Sequence, residues 1–95
     1  MGFPKSVCTS VNDVLCHGIP DNRPLEEGDF INIDVTCYLD GHHGDNSAMV
    51  TIGEPHPEVA DLIYNTRYAM NMAIKECGPQ VPYSRIGDVI NHTAI

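Results

Sequence analysis

The chain has 95 residues, of which 42% are hydrophobic, and a formal net charge of −8 at pH 7. This length allows one small domain, or part of a larger one, with a modest core. Only five Lys and Arg residues are scattered along the sequence, which argues against a surface for nucleic acids or anionic membranes. No apolar run is long enough to span a bilayer.

The first predicted element lies within Ser6–Cys16, a segment rich in β-branched residues. It predicts one strand, or two short strands around Asn12-Asp13. His17–Pro20 then leaves the sheet, and an acidic loop with two prolines, residues 20–27, leads to the next strand. The N-terminal residues lack the character of a signal peptide.

The central prediction is a hairpin over Gly28–Ser47, with a two-residue turn at Asp40-Gly41. Alternation along the first strand puts Asp34 and Thr36 on one face and the apolar residues on the other. In this register Asp45 pairs with Thr36, so it emerges on the face of Asp34. The apolar residues of the first strand are Ile31, Ile33, Val35, Cys37 and Leu39.

Asp34 and Asp45 are therefore predicted to be diagonal neighbours, roughly 7–8 Å apart at the backbone. Two carboxylates on one sheet face indicate half of a site for a hard divalent metal, and a bridging carboxylate suits a pair of metals about 3.5–4 Å apart. The alternative is solvated surface charge, which is commoner for Asp beside a turn. Asp34 is the stronger candidate because a strand interior disfavours Asp.

Two helices are predicted after the hairpin, whose second strand ends at Gly53. Pro57 suits a first helical turn, and Gly78-Pro79 suits the end of that helix. A second helix is predicted to begin with Ser84 as its N-cap. The apolar stripe of the first helix comprises Val59, Leu62, Ile63, Met70, Ala73, Ile74 and Cys77, and that of the second begins with Ile86, Val89 and Ile90.

The four cysteines form no C-x-x-C pair, which disfavours a structural zinc site. Cys37 and Cys77 fall on apolar faces, so they are expected to be buried, reduced thiols. This pattern favours a reducing compartment.

Two segments resemble a known family: FPKSVCTSVNDVLCHGIPD, residues 3–21, and GDFINIDVTCYLDGHHGD, residues 28–45. They resemble the N-terminal half of the catalytic domain of type I methionine aminopeptidases, members of peptidase family M24. The resemblance implies an α+β fold, namely half of a pita-bread (creatinase/aminopeptidase) fold with an antiparallel β-sheet and two helices on one face. Residues 1–95 are then expected to be the N-terminal portion of such a domain, incomplete at both ends.

The resemblance also implies roles for individual residues. The family holds two divalent metal ions (Co, Mn, Fe or Zn) through two Asp, one His and two Glu. Asp34 and Asp45 fall on the two aspartates, of which the second bridges both metals. His17 falls on a catalytic, non-ligand histidine that binds the scissile amide of the substrate.

Other positions match parts of the family's site that surround the metals. Phe3 and Cys8 fall on substrate-binding positions that line the pocket for the methionine side chain. Carbonyl groups near Asn12 and Val14 correspond to part of a monovalent-cation site. The remaining His and both Glu ligands belong to the second half of the family's fold. The adjacent His42 and His43 are expected to contact the metal ligands without binding the metals themselves, or to be exposed.

The implied function is removal of the initiator methionine from nascent polypeptides by a dinuclear metalloaminopeptidase, with the isolated chain inactive. The ribosome would be a partner of a full-length protein, with no direct nucleic-acid or membrane partner. The expected location is cytoplasmic, or organellar if an upstream transit peptide exists. The alternatives are a non-catalytic truncated isoform, a pita-bread interaction module and, apart from the resemblance, a small acidic metal-binding or scaffold domain.

Overall fold

The computed structural model describes residues 2–95. Its strands fall in one compact unit that ends at His56, and its helices fall in a second unit, Pro57–Ile95. No helix within residues 2–95 is long and apolar enough to cross a membrane. The elements in chain order are β1 (Cys8–Val11), β2 (Phe30–Leu39), β3 (His42–Thr51), α1 (Pro57–Glu76) and α2 (Ser84–Ala94).

The three strands form an antiparallel sheet in the order β1-β2-β3. The register of the β2–β3 hairpin is the predicted one, with Thr36 opposite Asp45. Asp40 and Gly41 form the connection, with φ values of 51° and 80°. Two successive residues with positive φ give a turn whose twist matches that of the paired strands, so the turn sets the register.

The first strand, β1, is shorter than Ser6–Cys16, the segment in which strand structure was predicted. β1 covers only Cys8–Val11, and no second strand follows the Asn12-Asp13 turn in the described residues before β2. Asn12 has a φ of 52°, outside the β region, and the amide of Val14 donates to the carbonyl of Val11 at 3.1 Å. The chain therefore turns back toward β1 instead of extending the sheet.

Asp29 anchors this turn to the start of β2. One carboxylate oxygen accepts from the Asn12 side chain at 3.0 Å, and the other accepts from the Arg23 guanidinium at 2.9 Å and from the Glu26 amide at 3.0 Å. The Asn12 side chain also accepts from the amide of Phe30 at 3.1 Å. The bonds from Asn12, Glu26 and Arg23 lower the pKa of Asp29 to about 2.

Helix α1 has the predicted start and ends two residues before Gly78. Its buried side chains are Ala69 and Ala73. Within the predicted apolar stripe, Met70 is 46% exposed and Ile74 is 59% exposed. The helix itself is as predicted, and much of its apolar stripe is exposed in this chain.

The predicted cap of α2 is wrong. Ser84 is the first helical residue, and the N-cap is Tyr83, whose side chain makes no capping hydrogen bond. Tyr83 has a φ of −62° and a ψ of −27°, which is helical rather than the extended backbone that a capping Ser uses. The helix therefore begins from a preceding turn, in which the Arg85 amide donates to the carbonyl of Pro82.

The prediction of buried thiols at Cys37 and Cys77 is also wrong. Both are exposed, although all four cysteines are free thiols. Cys37 lies near the tip of the hairpin, where Leu39 on the same face is 73% exposed. Cys77 follows the last residue of α1, and its thiol donates to the carbonyl of Ala73 at 3.4 Å. Strand or helix periodicity assigns a face but does not show that the face is covered.

Candidate metal centre

Asp34 lies in the middle strand of the sheet, between two directly paired neighbours. It is opposite Cys8 of β1 and opposite Ser47 of β3. Directly paired residues project to the same side of a sheet, so all three side chains share one face. Asp34 is half-buried, in agreement with its position inside the sheet.

Asp45 reaches the same face from β3. It pairs with Thr36 and is the diagonal neighbour of Asp34. Asn32 and Ser47 have the same diagonal relation two residues earlier on β2, and their contact shows how closely diagonal neighbours approach. Their side chains hydrogen-bond directly, at 2.7 and 2.9 Å. Two Asp side chains reach farther together than Asn and Ser, so the two carboxylates can converge on a common ion.

The chemistry of this pair suits a hard divalent cation. Carboxylates are anionic oxygen donors, and a carboxylate can bridge two metals. Within residues 2–95, neither Asp34 nor Asp45 has a hydrogen-bond or ion-pair partner that competes for its oxygens. The same residues contain no group of three or more His, Cys, Asp or Glu side chains that could hold a metal. The donor set therefore fits one side of a metal site and does not complete it.

His17 lies on the segment that returns along β1. The amide of Thr9 donates to the carbonyl of Gly18 at 3.0 Å, and the amide of Gly18 donates to the hydroxyl of Ser10 at 3.1 Å. His17 itself is exposed and has a φ of 57°, in the left-handed region. An open groove of about 380 Å³ borders His17, with Val14 and other apolar residues along its wall.

The structure brings one of the two predicted pocket residues beside the carboxylates. Cys8 is half-buried and directly opposite Asp34. Phe3 lies before the first strand and is 41% exposed. The backbone near Asn12 and Val14 forms the turn after β1, and its role in binding a monovalent cation stays a prediction.

His42 and His43 at the tip of the hairpin are exposed, which was one of the two predicted alternatives. A ring nitrogen of His42 lies 2.9 Å from the carbonyl oxygen of Asp40. The ring of His43 packs against its cross-strand partner Tyr38, with centroids 4.7 Å apart. Their contacts therefore support the turn and the strand pairing.

Ser10 was not singled out from the sequence, although it contacts the segment of His17. The residue is only 4% exposed. Strand alternation puts Ser10 on the face of Cys8, which was readable from the sequence. Its bond to Gly18 was not, because that contact depends on the path of the loop after β1.

An α+β chain with two carboxylates as diagonal neighbours on one sheet face is a candidate metal-binding protein. Residues 1–95 match the model of metallopeptidase family M24 over their whole length. The chain belongs to this family.

Curated relatives include enzymes from plants and animals. Methionine aminopeptidase 1D, chloroplastic/mitochondrial, of Arabidopsis thaliana is 56% identical over 93 residues, which are 98% of this chain and 27% of the plant protein. Methionine aminopeptidase 1D, mitochondrial, of Homo sapiens is 53% identical over 91 residues, which are 96% of this chain and 27% of the human protein. The chain thus spans about a quarter of the length of these curated relatives.

Solved structures share the fold. Methionine aminopeptidase from Rickettsia prowazekii matches with a TM-score of 0.90 and 46% identity, over 97% of this chain and 37% of that one. The prolidase from Pyrococcus furiosus matches with a TM-score of 0.83 over 94% of this chain and 27% of its own, at 15% identity, which shows the fold alone. The resemblance to type I methionine aminopeptidases and the assignment to part of a pita-bread fold are confirmed.

Proposed function

We propose that the chain is the N-terminal portion of the catalytic domain of a methionine aminopeptidase, which removes the initiator methionine from nascent polypeptides. The observation that carries this proposal is the diagonal pairing of Asp34 and Asp45 on one sheet face. The relatives support it, because proteins named methionine aminopeptidases match nearly the whole chain at about 50% identity.

In this proposal Asp34 and Asp45 would hold two divalent ions, Co, Mn, Fe or Zn. One His and two Glu from the rest of the catalytic domain would complete the ligand set. When bound, such ions supply Lewis acidity and lower the pKa of a bound water. The two carboxylates would offset part of the charge of such ions.

His17 is proposed to bind the scissile amide of the substrate and to stabilise the transition state by hydrogen bonding. Its place beside an open groove leaves room for a peptide. Phe3 and Cys8 are proposed to line the pocket for the methionine side chain, and the closeness of Cys8 to Asp34 supports its assignment. Carbonyls near Asn12 and Val14 are proposed to bind a monovalent cation.

The proposed partners are the N-terminal methionine of nascent chains and, for a full-length protein, the ribosome. Two locations are consistent with the sequence, the cytoplasm and an organelle. The names of the plant and human relatives favour the second. Fusing the complete N-terminal region of the gene product to a fluorescent protein and imaging it would separate the two.

The test is turnover of a Met-Ala-Ser peptide by the full-length protein, with bound metal measured in the same samples. Asp34→Asn and Asp45→Asn are expected to nearly abolish turnover and to lower metal content, because each removes an anionic ligand. Asp40→Asn in the turn of the same hairpin is the matched control, since Asn also tolerates positive φ there. Normal metal content and turnover in both ligand variants would overturn the proposal.

His17→Ala separates a catalytic hydrogen-bond donor from a ligand. Metal content is expected to stay near that of the wild type while kcat falls about 10²–10⁴-fold. Loss of metal in proportion to activity, with normal turnover per bound metal, would instead make His17 a ligand.

A non-catalytic role for the isolated chain is the second candidate. It is favoured by the absence, within residues 2–95, of a cluster of three metal-binding side chains. The 95-residue chain is therefore expected to show no peptide turnover above background, whereas turnover by the pure chain with added Mn²⁺ would exclude this candidate.

A further inference from the structure

Ser10 is buried, and the one hydrogen bond described for its side chain joins it to Gly18, the residue after His17. Its hydroxyl accepts the hydrogen bond from the amide of Gly18 at 3.1 Å, and the residue is 4% exposed. Ser10 pairs with Asn32 on β2, two residues before Asp34. The hydroxyl thus lies on the face that carries Asp34, and it brings Gly18 to that face.

A second contact holds Gly18 against the edge of β1. Its carbonyl accepts from the amide of Thr9 at 3.0 Å. The approach is close enough that a Cβ on Gly18 would lie 2.1 Å from the carbonyl oxygen of Thr9. Gly18 is therefore held at both its amide and its carbonyl, and it can lie this close because it has no side chain.

His17 directly precedes this anchored residue and has a left-handed backbone, with a φ of 57°. For a residue with a Cβ this region is disfavoured, and it is retained only where surrounding contacts over-determine the conformation. The bond from the Gly18 amide to Ser10 is a contact of this kind, because that amide belongs to the peptide group between His17 and Gly18. The bond from Thr9 holds the next peptide group, through the Gly18 carbonyl. Loss of the bond to Ser10 is therefore expected to let the His17 backbone relax toward the commoner regions.

We propose that Ser10 is a positioning residue for His17: its buried hydroxyl holds the His17–Gly18 peptide in place and thereby sets the direction of the imidazole. The effect on turnover rests on the proposed function, whereas the effect on His17 itself does not.

Two Ser10 variants in the full-length protein test the hydrogen bond. Ser10→Ala removes the hydroxyl, and Ser10→Cys keeps nearly the same volume with a much weaker acceptor. In both variants the Gly18 amide is expected to exchange with solvent faster, and the ring resonances of His17 are expected to shift. Ser47→Ala is the matched control, because it removes a hydrogen-bonded hydroxyl from the same face without touching Gly18.

The kinetic test uses the same variants on the Met-Ala-Ser peptide. The two Ser10 variants are expected to lower kcat about 3- to 10-fold, in line with the loss of one hydrogen bond, with metal content and KM close to those of the wild type. In the His17→Ala background, Ser10→Ala is expected to cause no further loss, because Ser10 acts through His17. A merely structural Ser10 would lower activity in both backgrounds.

Different results would contradict the positioning role of Ser10 and the proposed function. Unchanged Gly18 exchange and unchanged His17 resonances in both Ser10 variants would overturn the positioning role. Equal losses from Ser10→Ala with and without His17 would also overturn it. An inactive full-length wild type with normal metal content would instead refute the proposed function, while the exchange and resonance measurements would still decide the role of Ser10.

Discussion

Replacing Gly18 by Ala tests whether the segment after β1 is held as closely as the structure shows. A Cβ at this position would lie 2.1 Å from the carbonyl oxygen of Thr9 and 2.9 Å from its carbonyl carbon. Both atoms belong to the backbone of β1, so they cannot rotate away as a side chain could. The oxygen contact is about 1.3 Å shorter than an ordinary contact of 3.4 Å, and the segment must move by a similar amount.

Such a movement breaks the two bonds that hold Gly18, from the amide of Thr9 and to the hydroxyl of Ser10. Each bond contributes about 0.5–1.5 kcal/mol, and an Ala in the unfolded chain offsets roughly 0.4–1 kcal/mol. With about 1 kcal/mol for each bond and about 0.7 kcal/mol for the offset, the free energy of unfolding is expected to fall by about 1.3 kcal/mol. Urea unfolding of the full-length protein, with the slope compared between variants, measures this change.

Gly87→Ala is the control for the general effect of adding a methyl group. Gly87 lies within α2, and a Cβ there would meet nothing within 4 Å. Ala is the better helix former by about 1 kcal/mol, so this variant is expected to be as stable as the wild type or more stable. A Gly18→Ala protein with wild-type stability and an unchanged exchange rate at the residue-18 amide would refute the close approach to β1.

Three further predictions concern the sheet and the carboxylates. The pKa of Asp29 is about 2 in the folded chain, below its ordinary 3.8, so its stabilising effect is complete above pH 3.8 and is lost as the pH falls toward 2. In Asp29→Asn the midpoint of urea unfolding is therefore expected to depend less on pH between 3.8 and 2. Gly41→Ala, at a φ of 80°, is expected to cost about 1–2 kcal/mol of stability in the same assay, and an unchanged midpoint would argue against this turn. Calorimetry of the 95-residue chain with Mn²⁺ is expected to show weak binding by Asp34 and Asp45 alone, and two tightly bound ions per chain would contradict the incomplete ligand set.

The hairpin could be predicted from the sequence because its determinants are local. The Asp40-Gly41 turn fixes which residues face each other, and alternation fixes the side on which each one emerges. Together these two rules place Asp34 and Asp45 on one face, and the observed register confirms that placement. The start of α1 at Pro57 was predicted for the same reason, since it depends on a single residue type at a helix N-terminus.

The features that were missed depend on contacts between distant parts of the chain. The bond from Asn12 to Asp29 joins residues 17 positions apart, and no local preference of either residue identifies its partner. The exposure of Cys37 depends on whether another layer covers its face, which alternation does not reveal. Ser84 is a good capping residue by type, but the turn before α2 puts Tyr83 in that position.

The register of the sheet connects these structural details with the proposed chemistry. A slip of one residue in a strand pair would move its side chains to the opposite face, which would separate Asp34 from Asp45. The turn at Gly41 fixes the register between β2 and β3. The hydrogen bond between Asn12 and Asp29 stabilises one end of the β1–β2 pair. Residues that never contact a metal thus decide whether the two carboxylates can share one. For this reason Gly41→Ala in the full-length protein, which strains the β2–β3 turn at a φ of 80°, is expected to lower metal affinity as well as stability. A Gly41→Ala protein with reduced stability but wild-type metal affinity would show that the two carboxylates keep their positions without this turn.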